Sequence, residues 1–174
     1  MTQDKHDPVV VSENGQGPYQ QTVRVGKHCL IADEPVAMGG SDAGPAPFDF
    51  LLASLGSCTS ITLRMYAERK GLPLAGVSVE LTHDRVEVEG GGKVDRISRL
   101  IRLDGDLTPE QRSRLLAIAN KCPIYRCLQS DIRIDSLLAD PSGASAADGA
   151  TPGVPNVTDR SDWSSISGDL RDRS

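Results

Sequence analysis

Two of the four cysteines stand where a thiol could do chemistry. Cys58 lies in "LASLGSCTSITLRMYAERKG" (52–71), where Ser54, Gly56, Ser57, Thr59 and Ser60 form a small, polar patch inside an otherwise apolar segment. Such small side chains leave room for a substrate or let another backbone approach, and the hydroxyls can stabilise a thiolate. Cys122 lies in "NKCPIYRCL", directly before Pro123. Proline suits the first position of a helix, where no N–H donor is needed. Cys122 then becomes the N-cap, facing unpaired N–H groups and the positive end of the helix dipole, the setting that lowers a thiol pKa. Lys121 and Arg126 add positive charge. Cysteine is also a common small hydrophobe in protein cores, so on residue type alone both positions can be read as packing. Cys29, beside His28, and Cys127, one helical turn past Pro123, read as packing residues. Four cysteines are too few for a disulfide-built scaffold, and only Cys122 and Cys127 are close, so no metal site is expected.

These thiols need elements to hold them. Pro47 at the first position and Gly71 with Pro73 at the end bound one long helix over 47–70, its last turns carrying Arg64, Arg69 and Lys70. Phe48, Leu51, Leu52, Leu55, Ile61, Leu63, Met65 and Tyr66 spread apolar side chains almost all round it. That pattern predicts a central helix covered on more than one side. Strands are expected near 20–25 and 28–33 around a Gly26-Lys27 turn, with "VAMGGSDAGPAP" (36–47) as a surface loop. Val77, Val79 and Leu81, then Ile97, Arg99, Ile101 and Leu103, alternate as two further strands around "EGGGK" (89–93). Thr108-Pro109-Glu110-Gln111 opens a second helix that ends near Asn120. "SDIRIDSLL" (130–138) is expected to be a last strand.

The 174 residues suffice for one domain, expected over 19–139, with a loose arm over 1–18. Only six aromatic residues occur, so the core must be aliphatic. After Asp140 the chain is rich in Ser, Gly, Asp, Ala and Pro, and 140–174 reads as a disordered tail that cannot bury enough surface to offset its ordering entropy. A formal charge of −5 argues against nucleic acid and anionic membrane as partners. The N-terminus is polar where a secretory signal has an apolar stretch, and the longest uncharged run, Phe50 to Leu63, is too short to span a bilayer. A cytoplasmic location is expected.

"DEPVAMGGSDAGPAPFDFLLASLGSCTSITLRMYAERKG" (33–71) followed by "NKCPIYRCL" (120–128) resembles the OsmC-like and organic hydroperoxide resistance superfamily, closest to its OsmC-like branch. The resemblance covers Tyr19 to Leu138, and it rests on the order and spacing of the two cysteine stretches. It implies an α+β fold with antiparallel sheets and a long central helix, in which two chains interlock as a homodimer. It also implies thiol-dependent reduction of organic hydroperoxides without a cofactor. In that scheme Cys58 attacks the peroxide, Cys122 resolves the product as a disulfide, and an external dithiol resets the pair.

Peroxidase members place a glutamate directly after the loop proline, paired with a catalytic arginine. Here Phe48 follows Pro47 and the carboxylate comes one place later, at Asp49. Arg24 on the early strands is the nearest arginine, with His28 or Lys27 as substitutes. Phe48, Leu51, Leu55 and Tyr125 would form an apolar lining that favours an organic peroxide over hydrogen peroxide. The displaced carboxylate also admits a ligand-binding or otherwise non-catalytic dimer that has lost the reaction. A thiol hydrolase or transferase using Cys58 with His28 or His83 is a further alternative.

Overall fold

The computed structural model describes residues 7–138. Up to Asp131 they form one compact unit. Three antiparallel strands come first: β1 (Val9–Glu13), β2 (Gln21–Val25) and β3 (His28–Ala32), in the order β1-β2-β3. Val25 pairs with His28 across the turn at Gly26, whose φ of 53° suits a residue without a side chain. Within the loose arm expected over 1–18, Val9–Glu13 form a strand instead. Its valines pair with β2 from Val9–Val25 to Glu13–Gln21. Val9, Val10, Val11 and Leu30 stay exposed on this sheet.

The loop after β3 is knotted around Asp33, which is 2% exposed. Its carboxylate accepts the N–H groups of Glu34, Ser41 and Ala43 at 2.9, 3.0 and 3.2 Å. A Cβ at Gly40 would collide with the Glu34 carbonyl, and one at Gly44 with that of Ile31, so the tight fold of this loop requires glycine at both.

α1 (Pro47–Lys70) follows, 24 residues long and about 36 Å from end to end. The predicted limits hold: Pro47 opens it, and Gly71, at φ 61°, closes it by donating its N–H to Ala67 and Glu68. Its buried face, Leu55, Gly56, Thr59, Leu63 and Ala67, lies against β4 (Gly76–Glu87) and the two later helices. At Gly56 an added Cβ would come within 2.9 Å of Leu81 Cδ1, so the missing side chain is what lets β4 approach. Within one chain the helix is covered on one side only. Ile61 and Met65, one turn apart, are 59% and 55% exposed.

β4 and β5 (Lys93–Asp104) form a two-stranded antiparallel ribbon. Val77–Leu103, Val79–Ile101, Leu81–Arg99 and His83–Ile97 are its half-buried cross-strand pairs. α2 (Pro109–Ala119) starts at the predicted capping box, Thr108 Oγ1 accepting from Gln111 N at 3.2 Å and Gln111 Oε1 from Thr108 N at 3.0 Å. The core joins Leu63 and Ala67 to Leu74, Leu107, Leu115, Ile118 and Ala119. It is aliphatic, as the scarcity of aromatic residues requires.

α3 (Pro123–Leu128) is the last regular element among the described residues. The strand expected over 130–138 does not form; these residues are exposed and carry no ladder hydrogen bonds. The expected tail over 140–174 lies outside the described residues.

Candidate active site

The site is built from three elements that meet at the Cys122 sulfur. α2 ends at Ala119, the chain turns through Asn120 and Lys121, and Cys122 caps α3 in extended conformation. Its Sγ accepts the N–H of Tyr125 at 3.3 Å, and the residue is fully buried. From α1, buried Thr59 places its Oγ1 3.6 Å from that sulfur. From β5, Arg99 projects inward opposite Leu81. Its Nη1 donates to Thr59 Oγ1 at 2.8 Å and to the Ala119 carbonyl at 3.3 Å. Its Nη2 donates to Asn120 Oδ1 at 2.6 Å, and the guanidinium carbon lies 5.0 Å from the centre of the Tyr125 ring. One cation therefore ties the end of α2 to α1 and α3, and it sits at the negative end of α2, where a positive charge is favoured.

Thr59 has one hydroxyl hydrogen and two acceptors for it, the Leu55 carbonyl at 2.7 Å and the Cys122 sulfur. When the sulfur is a thiolate the hydrogen can turn to it, because the Leu55 carbonyl keeps its place in the helix ladder. Burial pushes the Cys122 thiol up. The Tyr125 N–H, the Thr59 hydroxyl, the Cys58 thiol and the Arg99 charge together outweigh it and hold Cys122 below the ordinary thiol value of 9.0. Cys58 is the neighbour of Thr59 on α1, and its thiol is thereby close enough to act on the Cys122 sulfur. Cys58 itself is half-buried. A more open thiol beside a buried, ionisable one is an arrangement suited to thiol–disulfide chemistry.

The profile of the OsmC-like protein family matches residues 39–136, a span containing Cys58, Arg99 and Cys122. The chain belongs to the OsmC-like protein family. Its fold is that of solved OsmC structures. An OsmC-like protein from Mycoplasma pneumoniae superposes with a TM-score of 0.61 at 18% identity, over 73% of this chain and 89% of that one. A Psychrobacter arcticus protein assigned to the osmotic stress and detoxification response gives 0.59 at 19% identity, over 73% and 91%. The organic hydroperoxide resistance protein OsmC of Legionella pneumophila gives 0.57 at 17% identity, over 74% and 92%. No curated protein matches the chain.

The OsmC-like chain brings only some of the expected site residues together. Cys122 and Tyr125 meet, and Cys58 stands next to Thr59, which reaches the Cys122 sulfur. Arg24 does not join them: it is exposed on β2, paired with Val10 and Cys29, and no hydrogen bond or ion pair among the described residues links it to either thiol. Asp49 is used locally, its Oδ2 accepting the Ala46 N–H at 3.0 Å to close the first turn of α1. Phe48 is 48% exposed and stacks on His83, ring centres 4.1 Å apart. His83 Nε2 in turn lies 2.9 Å from Asp95 Oδ1, and no hydrogen bond among the described residues joins this histidine to Cys58. Leu51 is half-buried, whereas Leu55, at 4% exposure, is core rather than lining.

The hydroxyls around Cys58 also divide differently from expectation. Ser57 bonds back to the Ala53 and Ser54 carbonyls, and Thr59 serves Cys122. Arg99 is the functional residue that sequence reasoning passed over. Its signal was its phase: an arginine at an inward position between Ile97 and Ile101 must find a buried partner. Among the described residues no helix is long and apolar enough to cross a membrane, and no cluster of three or more metal-ligating side chains occurs.

Proposed function

We propose that this OsmC-like protein is a thiol-dependent peroxidase that reduces organic hydroperoxides through Cys58 and Cys122, a cytoplasmic defence against oxidative stress. The observation that carries the reading is the buried Cys122 sulfur 3.6 Å from the hydroxyl of Thr59, the residue next to Cys58 on α1, beneath the Arg99 guanidinium. The half-buried sulfur meets the substrate and the fully buried one waits behind it. The Cys58 thiolate attacks the terminal oxygen of the hydroperoxide, the O–O bond breaks, and the alkoxide leaves as an alcohol after taking a proton. Cys58 is now a sulfenic acid. The Cys122 thiolate attacks its sulfur and displaces hydroxide, which leaves as water, and the disulfide is reduced by an external dithiol.

The proposal includes a homodimer. The three-stranded sheet leaves Val9, Val10, Val11 and Leu30 exposed, and α1 leaves Ile61 and Met65 bare on the side away from its own core. A second copy would cover the sheet and complete the burial that the apolar periodicity of α1 calls for.

Intact mass of the reduced protein before and after one equivalent of cumene hydroperoxide, with disulfide mapping by digestion, tests the reading. A Cys58–Cys122 disulfide and loss of turnover in Cys58→Ser are expected. Undiminished turnover in that variant removes the mechanism. No peroxide consumption by the wild type favours a non-catalytic dimer, a reading supported by Phe48 stacked on His83 where peroxidase members carry a carboxylate.

A further inference from the structure

The two sulfurs of the pair are not equivalent, and their difference sets the direction in which a disulfide between them would open. A disulfide is cleaved by attack on one sulfur and departure of the other as thiolate. The attacked sulfur must be accessible, and the departing one leaves faster the better its thiolate is stabilised. Cys122 is fully buried and already supplied with the Tyr125 N–H at 3.3 Å and the Thr59 hydroxyl at 3.6 Å, with Arg99 2.8 Å behind that hydroxyl. Cys58 is half-buried on α1, and Ser57 beside it is exposed. Access and leaving-group stabilisation point the same way.

We infer that the reducing dithiol attacks Cys58 Sγ and expels Cys122 as the leaving thiolate, with Arg99 and Thr59 as positioning residues for that departure. The inference rests on the disulfide of the proposed function. In the first step a reductant thiolate bonds to Cys58 Sγ, the S–S bond breaks, and its electron pair goes to Cys122 Sγ, where the Tyr125 N–H and Thr59 hydroxyl receive it. In the second, the other thiol of the reductant, deprotonated, attacks its own sulfur in the mixed disulfide. Cys58 leaves as a thiolate and takes up a proton, and the reductant departs as a disulfide. The protein gains two electrons and the reductant loses two. Cys122 regains its proton from solvent or keeps the charge. The same charge-holding cluster that prepares Cys122 to attack a sulfenic acid prepares it to depart from the disulfide.

The test uses the full chain with Cys29→Ser and Cys127→Ser, so that only the pair remains. Diamide, which needs no peroxidase activity, forms the disulfide. A limiting amount of glutathione then opens it, acid quenches the reaction at early times, N-ethylmaleimide alkylates the freed thiol at mildly acidic pH, and peptide mass spectrometry locates both marks. The expected result is glutathione on Cys58 and the maleimide on Cys122. Glutathione on Cys122, or an even split, overturns the inference. Arg99→Met and Thr59→Val should each slow opening roughly three- to tenfold without moving the label, and Arg99→Lys should restore part of the rate. Unchanged rates in both Arg99→Met and Thr59→Val, with helical content retained by circular dichroism, overturn the positioning roles. A disulfide that forms with diamide but not with cumene hydroperoxide ends the peroxidase reading and leaves this one standing to be read. If diamide forms none, both fall.

Discussion

Arg99 Nη1 donates to Thr59 Oγ1 across 2.8 Å, joining residues 40 positions apart and placing a cation one hydroxyl away from the Cys122 sulfur. The link makes Thr59 a relay. Its oxygen accepts from the guanidinium, and its hydrogen is free to turn toward the thiolate.

Thr59→Val keeps the shape of this side chain and removes the relay. The variant leaves a half-buried guanidinium N–H without its acceptor, and a loss of about 1 kcal/mol in urea unfolding is expected. The Cys122 thiol should titrate higher, read as slower alkylation of that residue near neutral pH. Thr59→Ser should recover most of both. Alkylation at the wild-type rate in Thr59→Val would remove the hydroxyl from the account of this thiol.

The lowered Cys122 value ties stability to pH. Below its folded value both folded and unfolded states hold the proton and the group contributes nothing. Between that value and 9.0 the folded state releases a proton that the unfolded chain keeps, so stability rises with pH; above 9.0 the contribution is complete. The reduced wild type minus Cys122→Ser should therefore show a positive slope in that window, at most about 1.4 kcal/mol per pH unit. Serine preserves the α3 cap, so the comparison isolates the thiol. Protein concentration must be held fixed. A flat difference curve would contradict the thiolate assignment.

Asp33 predicts the acid limb. Its burial raises the carboxyl pKa, and the N–H groups of Ala43, Glu34 and Ser41 overcome this to bring it below the ordinary 3.8. A carboxylate lowered on folding contributes above its unfolded value and loses that contribution as pH falls through the folded one. Asp33→Asn should lower the melting temperature near pH 7 and flatten the fall below pH 4 relative to wild type. Parallel acid limbs in the two proteins would show that the 33–46 loop does not depend on this charge.

Gly56 grades the α1–β4 contact. Gly56→Ala places a Cβ 2.9 Å from Leu81 Cδ1, the movable end of a flexible side chain, while improving helix propensity by about 1 kcal/mol. Its net effect should stay within about 1 kcal/mol. Gly56→Leu cannot be absorbed this way and should cost about 1–3 kcal/mol or more, measured by denaturant midpoint. Equal stability in the two variants would mean that the helix and ribbon are not closely packed here.

The bare face of α1 predicts the assembly. Light scattering should give the mass of two chains for the wild type. Ile61→Glu with Met65→Glu, both at exposed positions of the single chain, should give a monomer of lower melting temperature. A wild-type monomer would contradict the homodimer.

Much of this was legible along the chain because it depends on contiguous residues. Pro47 and Gly71 limit α1, Thr108 with Gln111 starts α2, and Cys122 before Pro123 caps α3, each through backbone geometry and donors that lie within one turn. The alternation of Val77, Val79 and Leu81 opposite Ile97, Ile101 and Leu103 likewise announces a ribbon with one inner face. Local pattern failed where partners decide. Three valines at 9–11 became a strand by pairing with β2, whereas the better-looking alternation at 131–138 pairs with no strand among the described residues.

The thiol pair shows the same boundary. That Cys58 sits on a long helix among small residues, and that Cys122 stands at a helix start, followed from residue type and spacing. Which cation serves them did not. Arg24, the nearest arginine on the early strands, stays on a separate sheet, and Arg99 reaches Thr59 because antiparallel pairing sets it opposite Leu81 on the inner face of the ribbon. Side-chain chemistry and caps are written into short stretches of chain. The field around a buried sulfur is a sum over atoms within a few ångströms, and those neighbours exist only after β5, α1 and the end of α2 have packed against one another.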